Sequence, residues 1–117
     1  DADKFEQEVL SKDKINLSYV PPRYRSSYFQ HIWGNGYAAG YYAYLWTEML
    51  ADDGFEWFKE HGGMTRANGD RFRKMVLSRG NTEDLAEMYK AWRGKEPSVE
   101  PMLINRGLKD APKGNEK

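Results

Sequence analysis

No cysteine occurs in the chain, so disulfide staples and thiol nucleophiles are excluded, and a reducing compartment, the cytoplasm, is the expected location. Histidine is nearly as scarce. Only His31 and His61 are present, and the fourth residues beyond them are Asn35 and Thr65. Neither therefore starts the pair of imidazoles at i and i+4 that holds a catalytic metal on one helix face, and no metal site is expected from this chain's own residues. Net charge is absent too. Eighteen basic residues balance 18 acidic ones, which removes the electrostatic footprint of a nucleic-acid binder or of a protein drawn to anionic membranes. No apolar run approaches the roughly 20 residues that cross a bilayer, and no signal-peptide pattern opens the chain. Strand-like alternation, internal repeats and low-complexity stretches are missing as well.

What remains is helical periodicity. Phe5, Val9 and Leu10 share one face of a charged helix starting near Ala2, and Pro21 and Pro22 then force an extended connection. Ser26 or Ser27 is placed to cap a short helix carrying Phe29 and Trp33, ended by Gly34-Asn-Gly36. A long helix is predicted from about Ala38 to Asp52, with a kink near Gly54 and a further turn or two through Phe58. Gly62-Gly63 closes it. Thr65 to Ser78 repeats the period through Phe72, Met75 and Val76, with Gly80 as its C-cap. Asn81 is the expected cap of the next helix, whose stripe is Leu85, Met88, Tyr89 and Trp92. Ser98 to Arg106 forms a last short helix with Met102 and Leu103 inward. The fold class is all-α, an irregular multi-helix domain over 1–108, with 109–117 a disordered tail lacking an apolar face.

One stretch does not read as plain packing. Tyr28-Phe-Gln-His-Ile-Trp-Gly-Asn-Gly-Tyr-Ala-Ala-Gly-Tyr-Tyr-Ala-Tyr-Leu-Trp46 holds five tyrosines, three glycines and a histidine. A helix built only to pack uses Leu, Ala and Ile, whereas each phenol needs water, a partner or a ligand. On the predicted long helix two stripes separate, Tyr37, Tyr41 and Tyr44 on one face and Tyr42, Trp46, Met49 and Leu50 on another. The second stripe is expected in the core. By spacing alone the first is either a half-buried packing face or the wall of a substrate groove. Gly34 and Gly36 are either helix punctuation or a loop whose amides and carbonyls bond an extended peptide. His61, in Glu60-His-Gly-Gly, reads as an exposed helix end.

These residues also carry a resemblance. His31-Ile-Trp-Gly-Asn-Gly-Tyr37, followed by Ala-Ala-Gly-Tyr-Tyr-Ala-Tyr44, resembles the C-terminal signature of the thimet oligopeptidase family of zinc metallopeptidases. Val20-Pro-Pro-Arg-Tyr-Arg-Ser-Ser-Tyr-Phe29 and Met49-Leu-Ala-Asp-Asp53 flank it and are most similar to the family's bacterial peptidyl-dipeptidase (dipeptidyl carboxypeptidase) branch. The likeness continues through Gly69-Asp-Arg-Phe-Arg73, Leu77-Ser-Arg-Gly80 and Trp92-Arg-Gly94 to Gly107-Leu108. The family's metal site is H-E-x-x-H, which this chain lacks. The resemblance thus implies the C-terminal, cleft-lining part of a larger cytoplasmic enzyme whose zinc, zinc ligands and general base lie outside this chain, and which is inactive without them.

Implied substrates are short peptides, with dipeptides released from the C-terminus. The implied partner is the rest of the catalytic domain, and neither nucleic acid nor membrane is expected. In the family the second tyrosine of the signature donates a hydrogen bond to the oxyanion of the tetrahedral intermediate, and it matches Tyr44. The first tyrosine, matching Tyr37, the preceding histidine, matching His31, and the loop at Gly34 and Gly36 contact substrate. Arg23 and Arg25 are candidates for bidentate capture of the substrate's C-terminal carboxylate. Two rival readings stand beside this one. The first is an oligopeptidase A-like endopeptidase that cuts peptides internally; the second is a helical module that binds peptides in a tyrosine-lined groove without cutting them.

Overall fold

The computed structural model describes residues 1–34 and 36–111. The chain is all-α: six α-helices, a 3-10 turn and a π-helical turn, with one isolated bridge between Leu17 and Val20 and no strand among the described residues. It divides into two compact units, Asp1–Tyr42 and Ala43–Lys117.

In the first unit α1 spans Ala2–Lys12, and Asp1 caps it by accepting a hydrogen bond from the Lys4 amide at 3.1 Å. The expected apolar face is thinly covered. Leu10 is half-buried, while Phe5 and Val9 are exposed. Polar contacts do more to join α1 to the chain that follows, because Glu6 accepts from both the amide and the hydroxyl of Ser26 at 2.7 Å. Ser26 opens the 3-10 turn Ser26–Tyr28, and α2, Gln30–Trp33, follows. The Trp33 indole donates back to the Ser26 carbonyl at 2.9 Å and closes this segment on itself.

The helix expected from Ala38 begins later. Residues 36–42 are turns, held in part by the Gly40 amide on the Tyr37 carbonyl at 3.1 Å, and α3 spans Ala43–Glu60. Glycines at 36 and 40 raise the cost of ordering this stretch as helix. The tyrosine stripe read on a single helix is corrected accordingly: Tyr37 and Tyr41 precede α3, and only Tyr44 belongs to it.

The second unit is built on α3, α4 (Arg66–Phe72), α5 (Leu85–Arg93) and α6 (Glu100–Asn105). Trp57 and Phe58 of α3 meet Trp92 of α5, the latter only 1% exposed, and Phe72, Met75, Val76 and Tyr89 pack around them. Ring centroids of Trp92 lie 5.1 Å from Trp57 and 5.0 Å from Phe72. These aromatic contacts explain why Gly54 does not interrupt α3. Gly54 faces the Trp92 ring, and a helical glycine costs only about 1 kcal/mol, less than burying two large aromatic side chains returns.

Burial along α3 is uneven, which corrects the expected core stripe. Met49 and Leu50 are half-buried, but Trp46 is 56% exposed, and Tyr42, before the helix, is exposed as well. The buried face is the C-terminal half, where Asp53, Trp57 and Phe58 meet α5. Towards its start α3 is tied to α6 by the bidentate pair of Arg106 with Glu48, at 2.9 and 2.6 Å.

Two further helix ends differ from expectation. Beyond α4 the chain continues as a π-helical turn, Arg73–Leu77, with the Ser78 amide on the Arg73 carbonyl five residues back. Asp84, not Asn81, caps α5, its carboxylate accepting from the amides of Ala86 and Glu87 at 3.0 Å. Residues 79–83 are held as a turn instead, by Thr82 on the Arg79 carbonyl and by the Arg79–Glu83 pair. In the last helix Met102 is buried as expected and Leu103 half-buried. Of the expected tail, Lys109 pairs with Glu100 and residues 112–117 lie outside the described part.

Candidate functional site

His31 is carried on the single turn of α2, and aromatic rings gather around it. Its ring centroid lies 5.8 Å from Tyr41, edge to face, and 6.0 Å from Tyr37. Tyr41 in turn meets Phe29 at 4.4 Å with the planes at 81°. Offset and edge contacts of this kind hold rings in defined orientations. The first unit thus brings together His31 and Tyr37, both singled out above, and adds Tyr41 and Phe29 to them. Sequence spacing carries no signal for the His31–Tyr41 contact, since ten residues and two turns separate the pair.

Beside this cluster lies a cleft of about 860 Å³ whose walls include His31, Tyr41, Phe29, Tyr28, Leu10 and Arg23. Glu6 and Arg25 form part of the same lining. The two face each other at 3.3 Å, and the Glu6 side chain is 8% exposed. Hydrogen bonds from the Ser26 side chain and amide, aided by Arg25, hold the Glu6 carboxyl below its usual value. Glu6 therefore enters the cleft ionised and already satisfied.

Gly34 ends α2 with φ −108°, so the backbone itself does not demand glycine there. Space is tight instead: an added Cβ would stand 3.2 Å from Gln30 Cγ and its carbonyl oxygen, so these neighbours would have to give by a few tenths of an ångström. At Gly36 an added Cβ would meet nothing within 4 Å. Asn35, between them, lies outside the described residues.

Tyr44 is the second residue of α3 and 47% exposed, and its carbonyl accepts from the Thr47 hydroxyl at 3.1 Å. His61 follows the end of α3, exposed as expected. Its Nδ1 is 2.7 Å from the Trp57 carbonyl, and the ring stacks on Trp57 at 4.2 Å. Among the described residues no group of three or more His, Cys, Asp or Glu could hold a metal ion. With His31 packed among aromatic rings and His61 bound to backbone, the donor set does not fit zinc.

One polar cluster in the second unit was not foreseen. Asp53, fully buried, accepts from Arg93 Nε at 3.1 Å and Nη2 at 3.2 Å and from the Tyr89 hydroxyl at 2.7 Å. Arg93 also reaches Glu60 at 2.6 and 3.2 Å, so one guanidinium serves two carboxylates. Burial and the hydrogen bond to Asp53 push the Tyr89 phenol far above its usual range, and the Arg93 bond holds Glu60 below its own. Nearby, the indole Nε1 of Trp92 is buried with no hydrogen-bond partner among the described residues.

Comparison with known proteins bears on this arrangement. The model of peptidase family M3 matches residues 3–108. The chain belongs to peptidase family M3. Among relatives, this M3 chain is similar to the dipeptidyl carboxypeptidase of Salmonella typhimurium, 64% identical over 90% of the chain, and to that of Escherichia coli, 63% identical over 92%. Oligopeptidase A of Escherichia coli is 46% identical over 87%. The chain spans 15%, 16% and 15% of the length of these three relatives. No helix among the described residues of the M3 chain is long and apolar enough to cross a membrane.

Proposed function

We propose that the chain is the cleft-lining helical part of a cytoplasmic zinc peptidase that releases dipeptides from the C-terminus of short peptides. One observation carries this reading above the endopeptidase alternative. Identity to two dipeptidyl carboxypeptidases is 63–64%, against 46% to an oligopeptidase A of the same organism as one of them. Since the chain corresponds to about a sixth of those relatives and its donor set does not fit zinc, the metal, its ligands and the general base belong to the remainder of the enzyme.

What this chain contributes follows from its own side chains. Tyr44 has a phenol on a regular helix and is the donor to the scissile carbonyl oxygen as that oxygen gains charge. Such a donor accelerates the step because its bond strengthens only in the transition state. Tyr37 and His31, whose rings are 6.0 Å apart, hold substrate. Gly34 and Gly36 keep side chains off the backbone beside them, and the open space at Gly36 suits the approach of an extended peptide. The endopeptidase reading is supported by the likeness to oligopeptidase A. Digestion by the full-length enzyme of one peptide in two forms, with a free and with an amidated C-terminus, separates the two. Stepwise loss of dipeptides from the free form alone is expected. Equal internal cleavage of both forms favours the endopeptidase.

A further inference from the structure

Two arginines follow the Pro21-Pro22 pair, and the structure gives them different surroundings. Arg25 is engaged: its Nη1 lies 3.3 Å from Glu6 Oε1, and Glu6 holds Ser26 at the same time. Arg25 thereby ties the extended segment to α1. Its backbone is extended, with φ −76° and ψ 151°. Arg23 has no carboxylate partner among the described residues, and its guanidinium carbon sits 5.2 Å from the Tyr24 ring centroid. Both line the cleft of about 860 Å³ described above. Among the described residues Glu6 is the one carboxylate in that lining, and Arg25 already balances its charge. Among the described residues of the lining, Arg23 is therefore the arginine that no carboxylate balances, and it stands with the aromatic and aliphatic side chains of Tyr28, Phe29, Tyr41 and Leu10.

That combination selects a ligand chemistry. A planar guanidinium takes a carboxylate with two parallel hydrogen bonds, and the neighbouring aromatic side chains offer apolar surface to the rest of the bound chain. A volume of this size accommodates a short peptide segment. Every peptide with a free end carries a terminal carboxylate, whatever its side chains. We propose that Arg23 captures the free C-terminal carboxylate of the peptide substrate in this cleft, and so fixes how far from the end the cut falls. The inference rests on the dipeptide-releasing reading above and names the residue that reads the terminus; Arg25 is a positioning residue for the segment that carries Arg23.

The test uses the full-length enzyme with Arg23→Gln and Arg23→Lys, each against one peptide as the free acid and as the C-terminal amide. Loss of a charge-assisted bidentate pair is expected to raise KM for the acid by about tenfold to a hundredfold. Turnover of the acid at saturation should stay within about twofold, the amide should remain as poor a substrate as it is for the parent enzyme, and Arg23→Lys should recover part of the loss. A far-UV circular dichroism spectrum and a melting temperature matching those of the parent enzyme show that the variant is folded. If the parent enzyme prefers the acid but Arg23→Gln leaves that preference intact, or weakens both substrates equally, the assignment to Arg23 fails while the dipeptide reading stands. A parent enzyme indifferent to amidation removes both.

Discussion

Tyr44 is where the functional reading meets a single atom. Its ring and hydroxyl can be separated, since only the hydroxyl can donate a hydrogen bond. Tyr44→Phe keeps the ring, and in the full-length enzyme it is expected to lower kcat by about a hundredfold to a thousandfold with little change in KM. The reason is that, in the role proposed for it, the phenol serves an oxygen that gains charge only in the transition state. Near-normal turnover in steady-state kinetics, or a variant that no longer folds, would return Tyr44 to a packing role. That Tyr37, Tyr41 and Tyr44 stay out of the core was legible in the residue types and their order, because a row of phenols beside glycines is a poor way to build one. The pairing of His31 with Tyr41 was not legible, because turns of unpredicted geometry separate them. The different surroundings of Arg23 and Arg25 were equally hidden. Glu6 stands 19 residues from Arg25, and no local pattern announces such a pair.

At the scale of elements, α3 departs most from expectation, starting five residues late and running without a break to Glu60. Helix nucleation is costly and propagation is cheap, so a glycine near an end delays a helix whereas one inside a well-packed helix is carried through. Gly54 offers a direct check. A Cβ there would meet Trp92 at 3.6 Å, an ordinary van der Waals contact, and its other near neighbour, the Tyr89 hydroxyl, at 3.9 Å. Gly54→Ala is therefore expected to stabilise the chain by about 0.5–1 kcal/mol in denaturant titration, by lowering the entropy of the unfolded state. A loss of stability would mean that the α3–α5 contact is tighter than the structure has it. The shifted cap of α5 teaches a similar lesson. Asp84 and Asn81 are both good caps by type, and the Arg79–Glu83 pair, which holds the intervening residues as a turn, decides between them.

For the molecule as a whole, the second unit depends on a buried charge cluster as well as on its aromatic core. Arg93 and Asp53 have side chains 2% and 1% exposed, so removing either partner leaves a desolvated charge behind. Tyr89 belongs to the same cluster and gives it a pH signature. The folded-state pKa of the phenol is raised above its ordinary 10.0, by burial first and by the bond to Asp53 second. A raised value means that the folded state binds this proton more tightly than the unfolded one. The associated stability is therefore fully present below pH 10 and is lost as the pH climbs towards the folded value. Unfolding titrations at pH 8, 10 and 11 should show a loss above pH 10 that Tyr89→Phe reduces; parallel profiles for the two proteins would contradict the assignment. Glu60 acts at the other end. Its folded pKa is depressed below 4.5 by Arg93, so its contribution is present above that value and disappears as the pH falls through it.

Helical character, the order of the helices to within a few residues, and family membership were all determined by the sequence itself. Each depends on neighbours along the chain or on residue types present or missing, which local periodicity and composition report directly. Only the tertiary structure decided that burial on α3 lies at Trp57 and Phe58 and leaves Trp46 exposed, that Asp53 finds Arg93 40 residues away, and that Glu6 engages Arg25 and not Arg23. The physical reason is the same in each case. Which side of an amphipathic helix is covered, and which charge meets which, depends on elements brought together by packing, and a side chain's own flanking sequence holds no record of what will stand against it.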